Sequence, residues 1–232
     1  MTDRIPPFEA KDVARHYATL APTYSARANR ACTIAYGELV SSVLSEARRV
    51  LEIGAGATTH LPGLFARHKV AFDLSLSMLA AQRGPVGWSR VVGDGQSMPF
   101  REASFDGAYA INVLEHVPEP ARLVGEVARI LSPGGRFLAV TPNGDCAGLL
   151  DVLERLRLKL PEGPHRFLRA GDVACLGSPA FRVVRHRRFL ALPLGPRPFV
   201  KLVDALIAGR RGRGLFQYVV LERQRGADGA RA

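Results

Sequence analysis

The chain of 232 residues is 47% hydrophobic and 23% charged, a balance that excludes a disordered or fibrous chain and leaves room for one sizeable α/β core. Its formal charge of +11 is local, since residues 1–150 carry 15 Lys and Arg against 14 Asp and Glu, while residues 151–232 carry 17 against 7. A basic coat over the whole molecule is thereby excluded; the C-terminal excess reads either as a solvated face or as the contact for an anionic partner.

The opening MTDRIPPFEAKD has no apolar segment, so neither a signal peptide nor a membrane anchor is expected there. Cys32, Cys146 and Cys175 show no CxxC spacing, which fits a reducing, cytoplasmic setting and gives no zinc site. Residues 8–48 read as helical with a break at Pro22. Strands are expected at 49–53 (RVLEI), 69–74 (KVAFDL), 89–93 (SRVVG), 105–112 (FDGAYAIN) and 135–141 (GRFLAVT), with helical stretches between them. That alternation predicts a doubly wound, mostly parallel α/β sheet with helices on both faces. Two further strands are expected at 181–192 and 215–223, separated by a short amphipathic helix whose Phe199, Leu202, Val203 and Leu206 share one stripe. The reading is one domain: entry helices to 48, a core over 49–145, substrate-side segments over 146–225 and a frayed tail over 226–232.

In an open parallel sheet ligands bind beyond the carboxyl ends of the strands, and four motifs sit there. In VLEIGAGATTH, Gly54 and Gly56 follow the first strand and a helix is expected to start near Thr58 or Thr59. Such a turn admits close backbone approach to a ligand, and is also explained by a tight turn alone. A third glycine at Thr59 would make a dinucleotide fingerprint, and a Gly-Lys-Ser/Thr would make a phosphate loop; both are absent. Asp73 ends the second strand 21 residues after Glu52, a spacing suited to a carboxylate holding two ribose hydroxyls, although a helix cap is the simpler use. Asp94, in VVGDGQSMPF, can accept from an exocyclic amine or merely form an Asp-Gly turn. INVLEHVPEP places Asn112, Glu115 and His116 after the fourth strand; Glu-His reads as a base, as polar lining or as an incomplete metal pair. His165 is a second candidate base.

Taken in order, LEIGAGAT, Asp73, GDGQSMPF, FDGAYAINVLEHV and ILSPGGRFLAVTPN resemble the class I S-adenosylmethionine-dependent methyltransferases, in particular the type 11 group, over about residues 45–145. The resemblance implies a seven-stranded Rossmann-like sheet whose last two strands form an antiparallel hairpin. It implies S-adenosylmethionine as cofactor, with Glu52, Gly54, Ala55 and Gly56 around its methionine part and Asp73 on the ribose. Leu74 and Met78 then flank the adenine, and Asp94 takes its amino group with Gly95 and Gln96 nearby. Asn112 touches the methionine part, and Tyr17 or Tyr24 closes over it. One departure is Thr58, which stands where the family's Gly-x-Gly-x-Gly has its last glycine.

The implied reaction is in-line methyl transfer, which needs near-attack geometry, and needs a base only when the acceptor must lose a proton; His116 and His165 are the candidates. No metal is expected. The leucine stripe of LLDVLERLRLKL, interleaved with arginines, suits a lipid-like or polyketide-like acceptor near an anionic surface, or an acidic small molecule. The acceptor expected is a small molecule of natural-product, quinone or lipid-like character, with an anionic or lipid surface as a further contact. Packing on the sheet edge explains the same stripe. Methylation of RNA or another anionic macromolecule is the rival reading, disfavoured because the fourth-strand exit lacks an Asn/Asp-Pro-Pro-aromatic motif. A non-catalytic cofactor-binding module is the other rival.

Overall fold

Short apolar runs such as VLEI and FDGAYAI lack a polar alternate face, the pattern of strands covered on both sides. In the computed structural model, which describes residues 8–27, 29–82, 87–146, 148, 164–176, 179–190, 198, 202 and 214–225, they lie at the centre of a seven-stranded sheet. The strands are β1 (Arg49–Ile53), β2 (His68–Asp73), β3 (Ser89–Val92), β4 (Phe105–Ile111), β5 (Leu131–Pro142), β6 (Phe181–Phe189) and β7 (Phe216–Arg223). Their order is β3-β2-β1-β4-β5-β7-β6. The first five are parallel, and β7 runs antiparallel to both β5 and β6, as the expected final hairpin requires.

The helices described are α1 (Ala10–Leu20), α2 (Tyr24–Arg27), α3 (Arg30–Val43), α4 (Leu76–Ala80), α5 (Pro120–Ile130) and α6 (Ala170–Cys175). Side chains alternate across a strand, so Leu51, Ile53, Ala108 and Phe137 face one layer while Val50, Tyr109 and Leu138 face the other. The first layer is α5, begun by Pro120 at its first turn and burying Leu123, Val124, Val127 and Ile130. The second is α3, which buries Tyr36, Val40 and Val43 and is capped by Asn29, whose side chain accepts from the N–H groups of Ala31 and Cys32. Arg223 spends part of the basic excess internally, donating to the carbonyls of Ala128 and Ala180. Arg182 likewise pairs with Glu222, and Arg188 with Asp145.

The break at Pro22 falls between α1 and α2, as expected. One expected element is replaced. No α-helix begins at Thr58 or Thr59; a single 3-10 turn, Leu61–Gly63, occupies the crossover, and Leu64 is already extended. Pro62-Gly63 ends the turn, and only fourteen residues separate Ile53 from His68, too few for a long helix and its return. Leu61 and Leu64 fill the space against α3, leaving Phe65 exposed. β5 also starts earlier than expected, because Leu131 pairs with Phe105 before the register jumps to Gly107 and Arg136. The stripe of Phe199, Val203 and Leu206, the whole LLDVLERLRLKL segment and the tail lie outside the described residues. No helix among those described is long and apolar enough to cross a membrane.

Candidate active site

β1 and β4 are neighbours from which the chain departs in opposite directions, and a cleft opens beyond their carboxyl ends. Its space is about 820 Å³ including the open mouth, within the range of small-molecule sites. The floor is the β1 loop. Gly54 and Gly56 have φ of +66° and +52°, and a Cβ on Gly54 would stand 2.3 Å from Val113 Cγ2. Only glycine gives both the turn and the close approach there. The loop is braced from two sides: the Gly56 N–H donates to Asp73 Oδ2 at 2.8 Å, and Gln82 Nε2 donates to the Gly56 carbonyl at 2.8 Å.

Asp73 lies at the end of β2, and its other oxygen accepts from the Ser75 N–H at 2.7 Å. Ser75, not Asp73, is the cap of α4. Burial pushes the Asp73 carboxyl above its usual range, opposed by the N–H groups of Ser75, Gly56 and Leu74. A carboxylate has about four lone-pair positions, so beyond the Gly56 and Ser75 hydrogen bonds it retains capacity to accept from ribose hydroxyls. Asp94 follows β3 and accepts from the backbone and side chain of Gln96, while Gln96 Oε1 accepts from the Glu119 N–H that precedes α5. Asn112, at φ +52°, anchors its N–H on the Val140 carbonyl; its Oδ1 is buried without a hydrogen-bond partner. Such an atom is costly unless a ligand meets it. Leu74, Met78 and Gly95 complete the walls, and α1 supplies Ala10, Val13, Ala14 and Tyr17 from one helical stripe, with Tyr24 beside them.

Of the residues expected around a cofactor, Glu52 and Ala55 do not line the cleft. Both are buried behind the loop, and Glu52 points toward the α3 layer. There it accepts from the Thr59 hydroxyl and, at 3.4 Å, from the His60 N–H. Burial pushes the Glu52 carboxyl up to about 8 against those donors, and burial likewise holds the His60 imidazole down at about 4. Thr59 has therefore become a brace between β1 and the 3-10 turn, its oxygen also accepting from the Leu61 N–H.

His116 is buried at the side of the cleft, in a 3-10 turn formed by Leu114–His116. Its Nδ1 lies 2.9 Å from the Pro164 carbonyl, and its Nε2 lies 3.0 Å from the Tyr17 hydroxyl. His165 does not line the cleft; its ring stands 5.8 Å from that of His116 and 4.7 Å from that of Phe167. Sequence reasoning missed Gln82 and Thr59 as braces and the Tyr17–His116 bond. Tyr17 and His116 are 99 positions apart, so no local signal could join them.

The methyltransferase-domain family model, type 11, matches residues 51–139. An uncharacterized methyltransferase of Mycobacterium sp. (strain KMS) is 32% identical over 136 residues, 55% of this chain and 50% of that protein. The chain thus spans about half the length of that curated relative. The ubiquinone biosynthesis O-methyltransferase of Alkalilimnicola ehrlichii is 28% identical over 175 residues, 68% of this chain and 70% of that one. In fold, the chain is similar to the solved structure of a possible histamine N-methyltransferase from Thermotoga maritima, with a TM-score of 0.70 at 20% identity, covering 92% of this chain and 100% of that one. With the expected strand order and a match to the type 11 methyltransferase domain over the cleft-forming residues 51–139, the chain is similar there to the class I S-adenosylmethionine-dependent methyltransferases and shares their fold.

Proposed function

We propose that this protein is a cytoplasmic enzyme that transfers a methyl group from S-adenosylmethionine, by in-line displacement, to O, N or C of a small-molecule acceptor of natural-product, quinone or lipid-like character. The observation that carries the reading is the convergence, in one cleft at the β1/β4 switch point, of the Gly54–Gly56 turn, the Asp73 and Asp94 carboxylates and the orphaned Asn112 oxygen. These groups fit a nucleoside joined to an amino acid. Asp73 would hold the ribose hydroxyls and Asp94 the adenine amine, with Leu74, Met78, Gly95 and Gln96 around the base. Asn112 and the glycine turn would take the methionine end, and Tyr24 would close the mouth. Glu52 and Ala55 would act through the shape of the loop. When bound, the cofactor supplies an electrophilic methyl on a sulfonium; the residues around it orient it, exclude water and accept any proton released. His116 is the candidate base, and His165 orients the aromatic wall beside it. The similarity to an O-methyltransferase of quinone biosynthesis supports a small acceptor. The basic excess beyond residue 150 is the proposed contact with an anionic or lipid surface.

Calorimetric titration with S-adenosylhomocysteine tests the cofactor assignment. Asp73→Ala is expected to weaken binding at least about 30-fold, because the ribose loses a charged acceptor and Gly56 loses its brace; equal affinity would remove Asp73 from the site. Thr58→Gly is expected to change affinity by less than about threefold, since the Thr58 hydroxyl is buried, lacks a partner and stands outside the cleft lining. A larger loss would show that the turn depends on that side chain. Transfer of labelled methyl to a component of a cell extract, followed by mass spectrometry, tests turnover and identifies the acceptor.

A further inference from the structure

A backbone carbonyl can only accept, so the 2.9 Å contact with Pro164 O places a proton on His116 Nδ1. Nε2 then presents a lone pair, and it accepts from the Tyr17 hydroxyl at 3.0 Å. The arrangement is held at both ends. The Arg166 N–H donates to the Glu115 carbonyl at 2.8 Å, fixing the Pro164 segment against the turn that carries His116. At the other end Tyr17 is the last member of the α1 stripe that walls the cleft, and its ring meets those of His116 at 5.4 Å and Tyr24 at 6.2 Å. Among the described residues of the cleft wall, the one imidazole is thus reached through a phenol.

We propose that Tyr17 is a catalytic residue that relays a proton from the acceptor to His116, and that the acceptor is accordingly a phenol or enol hydroxyl. The proposal rests on the methyltransferase reading above. Proton transfer through Tyr17 is efficient when donor and relay have similar acidity, and a phenolic acceptor matches the tyrosine hydroxyl, near pKa ~10 in its unperturbed state. An aliphatic alcohol holds its proton far too tightly to pass it to a phenol. A neutral amine is already nucleophilic and needs no relay before attack. In the step, the acceptor O–H proton passes to Tyr17 Oη as the tyrosine proton passes to His116 Nε2. The acceptor oxygen's lone pair forms the bond to the methyl carbon, and the C–S bond pair stays on sulfur, which becomes a neutral thioether. The imidazolium later returns one proton to water. The edge-to-face chain of Tyr24, Tyr17 and His116 offers a planar acceptor aromatic edges along the same wall, with His165 and Phe167 packed behind His116 outside the cleft lining.

The probe is 4-nitrophenol, added to the full chain loaded with S-adenosylhomocysteine, at a pH below the ionisation midpoint of the free phenol. The expected result is a visible phenolate band on the bound probe, absent with 4-nitroanisole. His116→Gln, which keeps size but not basicity, and Tyr17→Phe, which keeps the ring but not the hydroxyl, should each lower that band at least about tenfold. Both should still bind S-adenosylhomocysteine measurably and be saturated with it in the assay, which also shows that they fold. No band in the loaded native protein, or a band that survives either substitution, overturns the relay. Failure of the native protein to bind S-adenosylhomocysteine overturns instead the reading on which the relay rests.

Discussion

Gly54→Ala is expected to lower the melting temperature by about 5–15 °C and to abolish measurable binding of S-adenosylhomocysteine. Two costs add. An alanine at φ +66° meets its own backbone, which costs about 1–2 kcal/mol. Its Cβ would also stand 2.3 Å from Val113 Cγ2, with the rest of that side chain within 3.4 Å. Valine is short and stiff at χ1, so relief needs a shift of the β4 exit itself, and overpacking of that kind costs about 1–3 kcal/mol. The two parts separate by experiment. Adding Val113→Ala to the Gly54→Ala chain should recover the packing part and leave the conformational part, so the double variant should melt between the single variant and the native chain. An unchanged melting temperature in Gly54→Ala, or no recovery in the double variant, would mean that the turn is not held as tightly as its geometry requires.

That loop also shows where the sequence is informative. β1 was readable to the residue, because a run of apolar residues ending in Gly-x-Gly has few other uses, and β4 and β6 begin where their hydrophobic patterns do. Asp73, Asp94 and Asn112 could be placed at one site by a topological rule alone, since each follows a parallel strand whose carboxyl end faces the same side. The helix expected after Thr59 was not readable. Its threonines are spent otherwise: the Thr59 hydroxyl goes to Glu52, and Pro62-Gly63 ends the turn. Glu52 was assigned to the cofactor end on position. Alternation along β1 decides the matter physically, because Ile53 lines the cleft and its neighbour must face the other layer. Gln82 and Tyr17 escaped for a different reason. Their partners, Gly56 and His116, come from remote parts of the chain, and only the assembled sheet and the placement of α1 bring them together.

Glu52→Gln should invert the pH dependence of stability relative to the native chain. Burial raises the Glu52 carboxyl to about 8 in the folded protein, against an ordinary value of 4.5. Between those values the folded state holds a proton that the unfolded state has lost, so the native chain loses stability as pH rises through this window. The whole interval corresponds to something on the order of 4 kcal/mol. His60 acts in the opposite sense, held near 4 by burial against 6.5. There the unfolded state binds the extra proton, and stability grows as pH rises from about 4 to 6.5. The two slopes oppose one another up to about pH 6.5, and above it only Glu52 remains. The native chain should therefore show a shallow plateau in its urea midpoint, then a decline between pH 6.5 and 8 of about 2 kcal/mol. Glutamine carries no titrating proton, so the variant should gain stability up to pH 6.5 and stay level beyond it. The raised Asp73 carboxyl is common to both chains and drops out of the comparison. Parallel curves between pH 6.5 and 8.5 would mean that Glu52 is already ionised beneath the cofactor loop.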